Sequence, residues 1–363
     1  VPPVSDRLPV FPWDRLEPLK KTAAAHPGGA VDLSVGTPVD PVPELVRAAL
    51  TGASDSPGYP TVWGTEAFRD AIVGWSARRL GAGRLSHANV LPVVGSKELV
   101  AWLPTQLGLG PGDRVALPRL AYPTYAVGAR LAGAEPVEYD SLAELPEDIS
   151  LLWLNSPSNP TGRVLDAETL RATVAWARER GVLVFSDECY LELGWEAEPV
   201  SVLDPAVCGG SYEGIVAVHS LSKRSNLAGY RAAFCVGDSA VLGELLQIRK
   251  HGGMMVPAPV QAAAAAALDD DVHVAEQRAR YAARREALRG ALEGRGFRIE
   301  HSEASLYLWA TLDEPCWETV ARLAEDGVLV APGDFYGPAG ERFVRVAFTA
   351  TDERVRAAVE RLS

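Results

Sequence analysis

From about residue 89 onward, short apolar runs alternate with longer helical stretches, and that alternation restricts the fold more than any other feature of the chain. Asn89–Gly95, Arg114–Leu117, Pro136–Tyr139, Leu151–Asn155, Val182–Ser186, Ile215–His219 and Ala232–Val236 read as strands. Helices are predicted over Ser96–Leu107, Pro123–Leu131 and Asp166–Arg180, the last opening at an acidic cap. Strands this apolar have no face to give to water. The pattern therefore predicts an α/β fold with a mostly parallel sheet covered on both sides by helices. Upstream, Pro43–Leu50 and Thr65–Leu80 read as helices, the second with Phe68, Ile72 and Trp75 on one face. Residues 1–30 read as an arm with little regular structure, because Pro2, Pro3, Pro9, Pro12 and Pro18 interrupt helices. After about residue 250 the rhythm changes. An Ala-rich helix leads into a long charged one, Val272–Gly294. Strands near Phe297–Glu300, Leu306–Trp309 and Phe343–Phe348 then alternate with helices at Trp317–Asp326 and from Asp352. This reads as a smaller α+β domain, and 363 residues suit about two domains.

Composition narrows the function classes. The net charge of −12 argues against a general nucleic-acid binder, which needs a basic face for phosphates. Cys189, Cys208, Cys235 and Cys316 are scattered without a C-x-x-C pair. They suit reduced thiols in a cytosol better than a metal site or a disulfide framework. Val1–Leu19 lacks a basic region followed by an apolar stretch, so no secretion signal is expected there. Val256–Leu268 contains prolines and Gln261 and is too short to cross a bilayer.

Four segments carry chemistry. Ser220-Leu-Ser-Lys-Arg-Ser-Asn-Leu-Ala-Gly-Tyr-Arg231 follows the strand Ile215–His219. Open α/β sheets bind ligands at the carboxyl ends of their strands. Ser220, Ser222 and Arg231 can thus converge on one phosphate, leaving Lys223 to form an imine. Alone, S-x-S-K reads as a solvated basic loop. It does not stand alone. Asp187 and Tyr190 close the strand Val182–Ser186, where an aspartate can face a protonated ring nitrogen and a tyrosine can donate to a phenolate. Alone, that D-x-x-Y reads as a helix cap beside a half-buried tyrosine. Asn155-Ser-Pro-Ser-Asn-Pro-Thr-Gly162 builds a tight loop able to aim the Asn159 amide. Gly95-Ser-Lys-Glu98 sits at a strand-to-helix junction, where free N–H groups make a phosphate site as well as an ordinary capping box.

In this order the four segments resemble the fold-type I enzymes that use pyridoxal 5′-phosphate (PLP), specifically the class I/II aminotransferases, over nearly the whole chain. The resemblance implies that Lys223 holds PLP as a Schiff base and acts as general acid/base, that Asp187 pairs with the pyridine nitrogen, and that Tyr190 and Asn159 donate to the ring's O3′. It implies a stacking role for Tyr122 and a phosphate cup of Ser96, Lys97, Ser220, Ser222 and Arg231, with Tyr59 reaching the phosphate of a neighbouring subunit in a homodimer. Arg345 and the backbone at Gly36 would take the substrate α-carboxylate, which a guanidinium fork suits better than an ammonium. The implied layout is an arm plus part of the small domain over 1–35, a large PLP-binding domain over 36–250 and a small domain over 251–363. A soluble cytoplasmic enzyme with amino-acid and keto-acid substrates, no nucleic acid, no membrane and no metal completes it.

A PLP β-lyase shares the same residue set. A transcription regulator of this fold needs a DNA-binding module, for which the arm leaves no room. A nicotinamide dehydrogenase lacks its G-x-G-x-x-G after the first strand. The stretch Pro332–Asp352 and Gly95–Glu98 look like N-succinyldiaminopimelate aminotransferases. This implies glutamate as donor and N-succinyl-2-amino-6-oxopimelate as acceptor, in lysine and diaminopimelate biosynthesis. Aspartate, prephenate and aromatic aminotransferases are the nearest rivals. A second substrate carboxylate needs a cation or several donors. Lys97 is the first candidate, followed by Arg224 and the Tyr336 hydroxyl.

Overall fold

The computed structural model describes residues 3–363, so Val1 and Pro2 of the expected arm lie outside the described residues. Strand β1 (Val31–Asp32) comes first. The next seven, β2 (Val90–Val93), β3 (Arg114–Pro118), β4 (Glu135–Tyr139), β5 (Ile149–Asn155), β6 (Leu183–Asp187), β7 (Ile215–Ser220) and β8 (Ala233–Gly237), form one sheet in the order β2-β8-β7-β6-β5-β3-β4. β3, β4, β5, β6 and β7 run parallel. β8 runs antiparallel to both its neighbours, β2 and β7. The predicted mostly parallel sheet is therefore present.

Both faces of the sheet are buried, as strands without a polar face require. One face packs under the helices Glu66–Leu80, Ala167–Arg180 and Ala258–Asp269 through Phe68, Ile72, Trp75, Leu170, Val174, Ala263 and Ala267. The other lies under Ser96–Gln106, Thr124–Ala132 and Ser239–Gly252 through Leu99, Leu103, Tyr125, Ala129, Leu242 and Leu245. The Ala-rich helix thus shares a core with the large sheet, and its small side chains let it lie close to the helices Glu44–Gly52 and Glu66–Leu80.

The remaining strands are β9 (Arg298–Glu300), β10 (Tyr307–Thr311), β11 (Val328–Leu329), β12 (Ala331–Pro332) and β13 (Val344–Ala347). A four-stranded sheet runs β12-β13-β10-β9, while β1 pairs in parallel with β11. Their core takes in Leu288 and Leu292 of the helix Val272–Gly294, Val320 and Leu323 of Cys316–Glu325, and Val355 and Ala358 of Asp352–Leu362.

The arm is more regular than expected. Short 3-10 turns at Val4–Arg7 and Pro12–Leu16 lead into a helix, Glu17–Ala24. Pro12 and Pro18 sit in the first turns of their elements, where the missing N–H has no partner to lose. Leu16 and Ala23 are buried in the same core as Leu288 and Val320, which holds the helix in place.

Candidate active site

Register brings the chemical segments to one edge of the large sheet. Asn155 at the end of β5 pairs with Asp187 at the end of β6, and Asp187 pairs with Val218, so Ser220 projects two residues further along β7. Because β8 runs the opposite way, Arg231, which precedes it, returns to the same edge. There a cavity of about 510 Å³ opens, lined by every site residue named from the sequence except Tyr59 and the two distal candidates Arg224 and Tyr336. Tyr59 is 99% exposed and outside it.

Lys223 lies in a short helical turn, Leu221–Arg224, started by Ser220, whose Oγ accepts the Ser222 N–H at 3.2 Å. Its Nζ donates to the Gly36 carbonyl. Burial lowers the Lys223 pKa; Arg345 and Arg231 push the same way while Tyr307 opposes. A lowered pKa is what an amine needs to act as a nucleophile.

Asp187 is buried. Its Oδ2 accepts from the Tyr125 hydroxyl at 2.7 Å and its Oδ1 from the Cys189 N–H at 3.2 Å. Burial raises its pKa against those two bonds. A carboxylate in this position gains most from a cation brought in by a ligand. The loop beside it is fastened by Asn155, whose Nδ2 donates to the Asp187 carbonyl at 3.0 Å and whose Oδ1 accepts the Asn159 N–H at 2.8 Å.

Arg345 enters from β13. Its Nη1 donates to Asn159 Oδ1 at 2.8 Å and its Nη2 to the Ser34 carbonyl at 2.7 Å. The first bond fixes the Asn159 amide so that its NH2 points elsewhere. Tyr307 lies beneath the guanidinium, 3.9 Å from carbon to ring centroid, and its hydroxyl meets that of Tyr190 at 2.8 Å. Burial alone raises a phenol's pKa; at Tyr307 the cations Arg345 and Lys223 outweigh it and the pKa is lowered. A Cβ on Gly36 would run into the Tyr307 ring.

The helix Ser96–Gln106 begins after Gly95, which offers no capping side chain, so its first N–H groups are free for an anion. Gly95 has φ +84°, and a Cβ there would strike the Arg231 guanidinium. Only glycine lets that cation lie against the helix start. The Arg231 Nη1 is steadied by the Ala228 carbonyl at 2.8 Å. Ser220, Ser222, Arg231 and the helix start thus line one cavity, where they could hold an anion, and Asp187 could face a protonated ring nitrogen. Together they suit a flat heteroaromatic phosphate, with Lys223 as the covalent anchor.

Two distal candidates are corrected. Arg224 turns away from the cavity, paired with Glu192 and donating to the Ala267 carbonyl at 2.8 Å. Tyr336 packs behind Arg345, 4.8 Å from its guanidinium carbon, and is not a lining residue. Lys97 does line the cavity, 5.7 Å from the Phe11 ring.

Sequence reasoning misses Tyr125, Tyr307, Lys20, Phe11 and Trp13, all at or beside the site. Tyr125 is signalled only by its spacing of three from Tyr122, one helical turn. Tyr307 needs the register. Trp309 pairs with Arg345 and Tyr307 with Ala347, so residues 307 and 309 share the Arg345 face.

Residues 29–362 match the family described as aminotransferase class I and II. The chain is 62% identical to a 4-dedimethylamino-4-oxo-anhydrotetracycline transaminase of Streptomyces rimosus, covering 98% of this chain and 99% of the relative. It is 63% identical to a probable aminotransferase of Mycobacterium tuberculosis, covering 99% and 86%. Among solved structures, a probable N-succinyldiaminopimelate aminotransferase from Thermus thermophilus superposes with a TM-score of 0.87 at 30% identity, covering 97% of this chain and 99% of that one.

Proposed function

This chain belongs to the class I and II aminotransferases, a PLP-dependent family, and we propose that it moves the amino group of glutamate onto N-succinyl-2-amino-6-oxopimelate. The observation behind the acceptor is the chain's use of lysine. Only five of its 35 basic residues are lysines, at 20, 21, 97, 223 and 250, and three of these, Lys20, Lys97 and Lys223, line the one cavity. Asp187 is the only carboxylate lining it among the described residues. Lys223 serves the covalent bond, Arg231 the phosphate and Arg345 the substrate α-carboxylate. Lys20 and Lys97 are then left for acidic groups further along the substrate. The proposed acceptor carries two carboxylates beyond the reacting one. Burying such groups without cations costs several kcal/mol each, on the order of 3 or more.

When bound, PLP supplies the electron sink for the bond broken at the substrate α-carbon. The protein's part is orientation and proton movement. Arg345 grips the α-carboxylate through donors that Asn159 and Ser34 do not use. Once the substrate amine has displaced it from the cofactor, the Lys223 amine, its pKa lowered by burial, would take the proton from the α-carbon and pass it on to the cofactor. Asp187 holds a proton on the ring nitrogen, and the Tyr125 hydroxyl keeps that carboxylate in place.

A second reading has its own support. Phe11 and Trp13 line the cavity, and aromatic rings of this kind can cover a flat polycyclic ketone such as the substrate named for the Streptomyces relative. With glutamate as donor, acceptor turnover separates the two. A higher kcat/KM for the succinylated keto acid than for oxaloacetate, prephenate or the anhydrotetracycline ketone supports the first reading. The reverse order refutes it. We place the enzyme in the cytoplasm as a homodimer sharing its sites. The free thiols of Cys189, Cys208, Cys235 and Cys316 and the exposed Tyr59 support that view.

A further inference from the structure

Next to the cavity, and sharing Cys189 and Ser220 with it, lies a second, much smaller one of about 10 Å³. Its walls are largely apolar, from Trp75, Leu191, Leu193 and Phe234, yet ionisable side chains enter them. Glu188, His219 and Arg224 are all buried there, against the Trp75 and Phe234 rings. Glu188 spends one oxygen well: Oε1 accepts from the Ser186 hydroxyl at 3.0 Å and from the Val202 N–H at 2.8 Å. Among the described residues its Oε2 has no hydrogen bond and lies 3.5 Å from His219 Nε2, which has none either. Trp75 Nε1 and Arg224 Nη2, on residues of the same walls, also have no hydrogen bond among the described residues, although Arg224 Nη2 lies 3.7 Å from Asp271 Oδ1. Each such atom costs about 1–3 kcal/mol if left dry. Three of them, on Glu188, His219 and Trp75, have no ion-pair contact closer than 3.5 Å either, and such a cluster around one pocket is more than a stable core tolerates by chance. A volume near 10 Å³ is about what the centre of one water molecule occupies.

The position of the cluster in the chain gives it meaning. Glu188 follows Asp187, His219 precedes Ser220 and Arg224 follows Lys223. Each of these three residues is thus the covalent neighbour of one residue in the cofactor site; Glu188 follows β6, while His219 lies near the end of β7 and Arg224 in the turn that follows it. Glu192, held by Arg79 at 3.1 Å and paired with Arg224, locks the far side.

We propose that Glu188, His219 and Arg224 bind a single internal water, and that the resulting knot is the positioning element that keeps Asp187, Ser220 and Lys223 in register. Water is the fitting occupant because it can donate to Glu188 Oε2 and accept from Arg224 at once. A cation is disfavoured by Arg224, and an anion by Glu188. Protonation of these groups fits as well. Burial pushes Glu188 up to about 7 and His219 down to about 3, so the imidazole stays neutral and keeps a lone pair for the water.

The positioning half rests on reading Lys223, Asp187 and Ser220 as the cofactor site; the water half does not, so the two can fail separately. The first test is a high-resolution crystal structure of the PLP-loaded enzyme. It should show one water within hydrogen-bond reach of Glu188 Oε2 and Arg224 Nη2. A dry cavity, or Glu188 bonded directly to His219, overturns the water site. The second compares Glu188→Leu with Glu188→Gln. The leucine variant should lower kcat with glutamate by about tenfold or more, as loss of an outlying support does. KM should stay near the parent value, and the pH midpoint of the loaded enzyme's visible absorption should shift. Glutamine, which can still hold the water, should restore both readouts. If leucine lowers only thermal stability, with kcat and the midpoint unchanged, the positioning role is wrong. Should Glu188→Leu fail to fold, His219→Phe carries the same expectations and the same refutation.

Discussion

Replacing Arg345 by lysine tests the carboxylate clamp quantitatively. A guanidinium has five N–H donors. In the structure one goes to Asn159 Oδ1 at 2.8 Å and one to the Ser34 carbonyl at 2.7 Å, while Nε has no hydrogen-bond partner among the described residues. Three donors therefore remain, enough for a two-pronged grip on a carboxylate. Lysine keeps the charge, but its three donors radiate from a single nitrogen, which cannot serve Asn159 and a two-pronged carboxylate in the same geometry. Losing one charge-assisted bond of a buried pair costs about 2–4 kcal/mol. At about 1.4 kcal/mol per factor of ten, kcat/KM for glutamate should fall roughly 30- to 1,000-fold. The assay is the single-turnover half-reaction followed by the cofactor's absorbance, run with glutamate and with 4-aminobutyrate, which lacks the α-carboxylate. The loss should be confined to glutamate. An equal loss with both amines, or a loss under threefold with glutamate, would refute the assignment of Arg345 to the α-carboxylate.

Three further outcomes are expected. Asp187→Asn should cut turnover strongly yet leave the cofactor-free protein as stable as the parent, or more so, near neutral pH. Folding raises the Asp187 pKa, so its favourable contribution is complete below the unfolded value of 3.8 and is lost as pH climbs through the folded value. Thermal melts at pH 5 and 8 check the sign, and a large destabilisation at pH 8 contradicts it. Lys20→Ala and Lys97→Ala should each raise KM for the succinylated acceptor by about tenfold while changing that for a monocarboxylic keto acid little; equal effects on both acceptors would remove these lysines from the distal site. Tyr59→Phe should weaken PLP retention only in the dimer, as measured by cofactor release during dilution across the dimer dissociation range. A parent protein that is monomeric and fully active would contradict the shared site.

Much of the sheet was legible because its strands are nearly uninterrupted apolar runs. Where polar residues intrude, the reading slips. β5 begins at Ile149 rather than Leu151 because Ser150, which interrupts the run, hands its hydroxyl to Asp113 at 3.0 Å. The helix Ser239–Gly252 goes unread for a similar reason. Its buried face includes Arg249, which is charged yet fully enclosed and bonded to Glu98 at 2.8 Å. The arm was misjudged because prolines that break a helix in its interior are harmless in its first turn. In the site, residues that sit next to a turn at a strand end were visible as motifs. Tyr307 was not, since only the pairing of β10 with β13 reveals which face it shares with Arg345. Arg224 shows the converse limit. It adjoins Lys223 in the chain, but the helical turn between them points its guanidinium into the core, toward Glu192.

The central claim, that Lys223 anchors the cofactor, has an unusually sharp test because two other lysines line the same cavity. Borohydride reduction of the PLP-loaded enzyme fixes the cofactor to whichever amine holds it, and peptide mass spectrometry then reads the position. The account predicts the added mass on the peptide containing Lys223 and on no other, and its disappearance together with transamination in a folded Lys223→Ala variant. Modification of Lys97 or Lys20 in the parent enzyme, or retained turnover in Lys223→Ala, would contradict it.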